Sequence, residues 1–276
     1  MSTKVKIIVF FLMFTFFSSL DARQCLHFKR YKKSKITHYA VLSERCTGSN
    51  YIDNLIKLNF ECPEGVYAFK HFPPWFQLPA ESYQGPAEFY SLTGFDNYLF
   101  IIIFRSPYDW SRSFHKNPWH CHNSLKHLAF SDFIRTKWDY TFDKGMKGQF
   151  AYNNLVDKNP LNGELFKNIF ELRSAKIKTM LMLGERAKNV YFINYEAVRD
   201  HPKEVKEEIQ KIYKLIPKEG FKEVEYYKGM ANKGVYVEKK YPPINPEDLI
   251  YINSQLDVEL ERIIGYELIH DAEKID

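Results

Sequence analysis

Arg105 and Ser113 stand eight residues apart, one closing the apolar run Tyr98–Phe104 and the other two turns into a segment opening with Ser106-Pro107. Serine is a favoured N-cap and proline suits the first helical position. Asp109 stands where a capping-box acid belongs, so the pattern predicts a helix starting here. A helix start presents backbone N–H groups and a positive dipole end, and Arg105 and Ser113 would grip one phosphate there from two sides. A second corner, Ser43-Glu44-Arg45-Cys46-Thr47-Gly48-Ser49-Asn50, follows the strand-like run Thr37–Leu42. Glycine permits a tight backbone, and Thr47, Ser49 and Asn50 bring hydroxyl and amide donors to another helix start. The ATP-hydrolysing pattern Gly-x-x-x-x-Gly-Lys-Ser/Thr is not met, because Ser43 replaces the first glycine and Ser49 the lysine. Two corners of this kind point to a nucleotide with phosphates at both ends. His71 follows the run Gly65–Phe69, and an imidazole with a pKa of about 6.5 is suited to accept a proton near neutrality.

The elements that must hold these groups read as alternating strands and helices. Residues 23–36 form a basic, irregular lead-in; Thr37–Leu42 and Gly65–Phe69 are short strands flanking a helix over Ser49–Phe60. Tyr98–Phe104 is the most apolar stretch after the N-terminus, as in a parallel strand buried on both faces. Asn162–Lys188 reads as mostly helical, Asn189–Tyr195 as a strand, Pro202–Leu215 as a charged helix and residues 246–266 as one amphipathic closing helix. The alternation predicts an α/β fold, a central parallel sheet with helices on both faces. Ligands of such sheets bind at the carboxyl ends of the strands, where Arg45, His71, Arg105 and Tyr195 all fall.

With these motifs in this order, the chain resembles the sulfotransferases that use 3′-phosphoadenosine 5′-phosphosulfate. Arg105 to Ser113 is similar to the family's 3′-phosphate motif and the Gly48 turn to its 5′-phosphosulfate loop. Phe192-Ile193-Asn194-Tyr195-Glu196 resembles its strand ending in Tyr-Glu-Asp, and Lys70-His71-Phe72-Pro73 the segment carrying its catalytic histidine. The likeness runs from about residue 38 to 266, within a domain spanning 37–270. It implies a three-layer P-loop-like fold and the phosphosulfate as co-substrate, with no metal. Arg105 and Ser113 would hold the 3′-phosphate. Thr47, Gly48, Ser49 and Asn50 would hold the 5′-phosphosulfate, with Tyr195 near the adenine. His71 would be the base, and Arg45 would support the leaving phosphate in place of the basic residue the family carries at Cys46. The acceptor would bear a hydroxyl or amine, on a carbohydrate, a tyrosine or a small molecule. A kinase-like phosphotransferase and a non-catalytic nucleotide-binding relative are the alternatives.

Composition bounds these readings. The 276 residues are 45% hydrophobic, 26% charged and 17% aromatic, which fits a folded α/β chain and not a disordered one. A net charge of +5 favours an anionic ligand but is too small and scattered to indicate nucleic acid. In residues 1–22, Lys4 and Lys6 precede the apolar run 7–17 and a small-residue exit, the layout of a secretory signal peptide. Its destination would be the secretory pathway, as a Golgi lumen or membrane protein. Left uncleaved, the run would anchor the chain, and the basic residues after it would then keep the bulk on the cytosolic face. Cys25, Cys46, Cys62 and Cys121 fit either one disulfide or four thiols. His115, His120, His122 and His127 around Cys121 lack the rigid pairing of a zinc site and read as a polar loop near the acceptor.

Overall fold

The computed structural model describes residues 25–31, 34–61, 63–66, 71, 94–140, 157–159 and 162–275. The N-terminal apolar run, Lys70 and Cys62 lie outside them. Five strands form one sheet in the order β1-β5-β4-β2-β3. They are β1 (Cys25–Lys29), β2 (His38–Ser43), β3 (Glu64–Val66), β4 (Tyr98–Phe104) and β5 (Val190–Asn194). β2 pairs in parallel with both β3 and β4, and β4 with β5, while β1 runs antiparallel along β5. The chain is therefore α/β with a mostly parallel central sheet.

Alternation along the strands decides what each face buries. Tyr39, Val41, Leu99, Ile101, Ile103, Tyr191 and Ile193 point one way. They meet helix α1 (Ser49–Asn59) and a later helix over Pro202–Tyr213 through Ile52, Leu55, Ile56, Val205 and Ile209. Ala40, Leu42, Phe100, Ile102, Phe104 and Phe192 point the other way, onto Ile177, Met180 and Leu183 of the helix Ile169–Arg186. Ile101, Ile102 and Ile103 are fully buried, and each such side chain contributes about 1.5–3 kcal/mol. That double burial explains why β4 is wholly apolar from Leu99 to Phe104, with the Tyr98 hydroxyl at its half-buried start.

After β4, helix α2 (Pro107–Lys116) starts at Ser106 with Pro107 in its first turn. Its capping differs from the expected box. Asp109 accepts from Arg112 Nη2 at 2.5 Å, and the Ser106 N–H is met by Glu196 Oε1 at 3.0 Å, from just past the carboxyl end of β5. Tyr266 donates its hydroxyl to the other oxygen of Glu196 at 2.7 Å, fixing that remote cap. Trp110 and Phe114 of α2 join Phe133, Trp138, Phe170, Leu249 and Ile252 in a third cluster. Helix α3 (Phe130–Arg135), unmarked in the sequence reading, belongs to it.

Three further boundaries differ from the sequence expectation. The basic lead-in contains β1, an edge strand whose partners are main-chain groups and whose side chains carry little periodicity. The expected helix over Asn162–Lys188 is α4 (Ile169–Arg186), started late because the Asn168 side chain accepts from the N–H of Phe170 at 2.9 Å and of Glu171 at 3.0 Å. β5 leads directly into α5 (Tyr195–Asp200) and α6 (Pro202–Tyr213). The closing helix is two, α7 (Pro246–Gln255) and α8 (Val258–Ile263), because Asp257 leaves helical geometry and caps the second through the Leu260 N–H. The face survives the break: Leu249, Ile252, Leu256, Leu260 and Ile264 are all buried.

Candidate functional site

In the parallel register Ser43 lies opposite Ile103, and Phe104 opposite Asn194, so β2, β4 and β5 end side by side. The loop Glu44–Gly48, the Arg105 corner and Tyr195 thus emerge together at the carboxyl edge. Arg105 ties them. Its Nη1 donates to the Cys46 carbonyl at 3.2 Å, and its guanidinium carbon lies 4.7 Å from the Tyr195 ring centroid. Its main-chain carbonyl accepts from Arg173 Nη2 at 2.9 Å, and Arg173 is itself held by Glu261 at 2.6 and 2.8 Å. The Arg105 Nε is buried with no hydrogen-bond partner among the described residues.

Gly48 has φ 91°, ψ 12°, and immediately precedes α1. A Cβ there would lie 2.1 Å from Tyr195 Cδ2, so both the left-handed turn and the approach of the ring require glycine. Tyr195 is buried, bonded through its hydroxyl to Tyr236, and burial together with that bond pushes its phenol well above the ordinary value. The Thr47 hydroxyl donates to the Glu44 carbonyl at 2.8 Å, tightening the loop, and Ser49 is buried while Asn50 is exposed. Among the described residues, no acceptor meets the backbone N–H groups of Thr47, Gly48 or Ser49. Unmet N–H groups at the start of an eleven-residue helix make an anion-binding concavity. Ser113, from α2, hydrogen-bonds the Cys46 thiol, which burial pushes up to about 11, so this cysteine is held as an inert thiol.

Arg45 is placed differently from the expectation. Its guanidinium is fully buried and paired with Glu44 at 2.9 Å and Asp157 at 2.7 Å. Lys176, equally buried, closes the arrangement at 2.7 Å from each of the same two carboxylates. Two cations and two anions cancel, so this ring lends no net charge to the loop beside it. Burial alone would raise the Asp157 carboxyl, but Arg45 and Lys176 outweigh it and hold it below the usual carboxylate range. The ring also carries histidines: Arg45 Nε donates to His120 Nδ1 at 3.2 Å, and Lys176 Nζ donates to the His71 carbonyl at 2.7 Å. His71 sits against the end of β2, its Nδ1 3.3 Å from the Ser43 carbonyl and 3.5 Å from the Ser43 hydroxyl. The two imidazole centroids are 6.3 Å apart.

All the residues read from the sequence thus gather at one edge, with the Arg45 side chain turned inward. Asp157 and Lys176 were not legible in advance, since neither lies in a recognisable motif. His115 and His122 bond locally, to the Leu128 carbonyl and the Ser124 hydroxyl, and among the described residues no three His, Cys, Asp or Glu converge at metal-binding distance. Cys46 and Cys121 are unbridged. No helix among the described residues is long and apolar enough to cross a membrane. A cavity of about 660 Å³ opens elsewhere, near the amino ends of β2 and β3, lined by Arg30, Lys35 and Lys214 among others. The carboxyl edge is preferred as the candidate site because the unmet N–H groups and the buried Nε of the half-buried Arg105 converge there. No family model, curated protein or solved structure matches the chain, so its chemistry is read from its own residues.

Proposed function

We propose that the chain is a sulfotransferase with a P-loop-like fold, moving a sulfuryl group from 3′-phosphoadenosine 5′-phosphosulfate to a hydroxyl or amine acceptor. The observation that carries this reading is the joining of two anion-binding corners by one arginine. Arg105 spans from the Cys46 carbonyl to the Tyr195 ring and keeps a buried N–H without a protein acceptor among the described residues. In this reading Arg105 and Ser113 take the 3′-phosphate, and Tyr195 borders the adenine. The Thr47–Asn50 turn and the α1 dipole take the 5′-phosphosulfate. Fully buried between two carboxylates, the Arg45 side chain shapes the loop and leaves the developing charge to the backbone amides. His71 takes the proton of the acceptor. The acceptor oxygen attacks sulfur, the bond to the bridging oxygen breaks, and its electron pair remains on the 5′-phosphate. Residues 1–22 would route the chain into the secretory pathway or anchor it to a membrane.

Ligand-induced stabilisation tests the reading. Adenosine 3′,5′-bisphosphate at a hundredfold excess over its Kd should stabilise the fold by about 2.7 kcal/mol, and ATP should not. Stabilisation by ATP alone would favour the phosphotransferase, and by neither a non-catalytic relative.

A further inference from the structure

The cavity at the amino ends of β2 and β3 has no part in the nucleotide reading, and its walls come from three segments that meet only in the fold. Residues 30–37 lead from β1 to β2, Glu61 and Pro63 follow α1, and residues 213–216 leave the carboxyl end of α6. Main-chain contacts hold the segments together. The Glu61 N–H donates to the Ile216 carbonyl at 2.8 Å, the Glu64 N–H to the Thr37 carbonyl at 2.9 Å, and Phe60 bridges to Pro217. A volume of about 660 Å³ lies in the range of small-molecule sites. The floor is apolar, with Ile36, Tyr213 and Leu215 all buried, while Ile216, 58% exposed, stands at the mouth.

Arg30, Lys35 and Lys214 line the same cavity, with Glu61 the one carboxylate among its described lining residues. No described carboxylate, Glu61 included, lies within ion-pairing distance of any of the three cations. Arg30 is held in place by the bond from its Nη1 to the Ile212 carbonyl, next to the wall residue Tyr213. Lys35 and Lys214 are exposed, so a ligand entering the mouth meets them without displacing a protein partner. Three cations against one carboxylate leave the lining at a net charge of +2, and low-dielectric walls focus that field on the cavity.

We propose that this cavity binds an amphipathic organic anion, an apolar body carrying a single sulfonate, phosphate or carboxylate group. The body rests on Ile36, Tyr213 and Leu215, and the charged group faces Arg30, Lys35 and Lys214. An inorganic ion would leave the apolar floor uncovered, and a neutral apolar compound would leave the cations unanswered. Only a ligand with both halves satisfies both parts of the lining. The site is separate from the candidate nucleotide edge. β2 begins beside the cavity at His38 and ends at Ser43 beside the Glu44–Gly48 loop, so roughly 17 Å of strand lies between them. The proposal rests on the lining alone and stands whether or not the chain is a sulfotransferase.

The test titrates the full chain at neutral pH with anilinonaphthalene sulfonate, whose fluorescence rises in apolar surroundings. One saturable site per chain is expected. Phenylnaphthylamine, the same rings without the sulfonate, should bind at least about fivefold more weakly. Lys35→Gln and Lys214→Asn should each weaken the sulfonate about three- to tenfold. Asparagine suits the left-handed backbone of Lys214, at φ 58°, so that variant keeps its fold. Lys203→Gln removes an equal charge at the start of α6, roughly 16 Å away along the helix, and should change affinity by less than about twofold. Ile216→Asp puts a carboxylate at the mouth and should abolish binding at a nearly unchanged urea midpoint, because the native side chain is exposed. Absence of a saturable site in the folded wild type overturns the proposal. So does equal affinity for the charged and neutral probes, equal weakening in the Lys35, Lys214 and Lys203 variants, or full binding by Ile216→Asp.

Discussion

Replacing Gly48 by alanine tests the geometry of the phosphate loop directly. At φ 91° the added Cβ meets the left-handed penalty, about 1–2 kcal/mol for a residue other than glycine. It also lands 2.1 Å from Tyr195 Cδ2 and 2.7 Å from Cε2, distances at which something must move. The ring has little freedom to yield: it is buried, bonded to Tyr236 and held under the Arg105 guanidinium at 4.7 Å. Overpacking of this kind typically costs about 1–3 kcal/mol, so Gly48→Ala should destabilise the fold by about 2–5 kcal/mol in all. Gly220 separates the two contributions. It has φ 69° and nothing within 4 Å of its would-be Cβ, so Gly220→Ala should lose only the conformational part, about 1–2 kcal/mol. Urea denaturation of both variants measures the difference. In a Tyr195→Ala background the Gly48→Ala increment should fall to the Gly220 value, since the steric partner is gone. Equal losses at Gly48 and Gly220 in the wild-type background would refute the contact between loop and ring, and with it the placing of Tyr195 at the cradle.

Arg105→Ala should weaken adenosine 3′,5′-bisphosphate binding by about 2–4 kcal/mol in calorimetry, because it removes a charged partner from a phosphate; unchanged affinity in a folded variant would remove the corner from the site. Asp157→Ala should destabilise the fold by about 3–5 kcal/mol, leaving Arg45 and Lys176 in the interior with one carboxylate between them. Asp157 also sets a pH dependence. Its folded pKa lies below the unfolded value of about 3.9, so between the two the unfolded chain binds more protons and stability rises with pH. The contribution is complete above the unfolded pKa and lost as pH falls through the folded one. Urea midpoints should therefore fall with acid more steeply in the wild type than in Asp157→Asn.

What the sequence alone determined is what a short window can encode. β4 was legible because a strand buried on both faces must be apolar at every buried position, and the six residues from Leu99 to Phe104 comply. The start of α2 was legible because Ser106-Pro107 restricts the backbone locally, and the Gly48 turn because only glycine adopts its conformation without strain. β1 was missed because an edge strand is defined by the main chain beside it, and the closing helix was read through its break because Leu256 and Leu260 keep the apolar spacing across Asp257. Tertiary structure alone decided where the charges go. Arg45 looked like a phosphate ligand in its own segment, yet its partners include Asp157, more than a hundred positions along the chain, and Lys176 completes the same ring. Burying a guanidinium requires carboxylates from wherever the fold can supply them, and nothing in a local window records that supply.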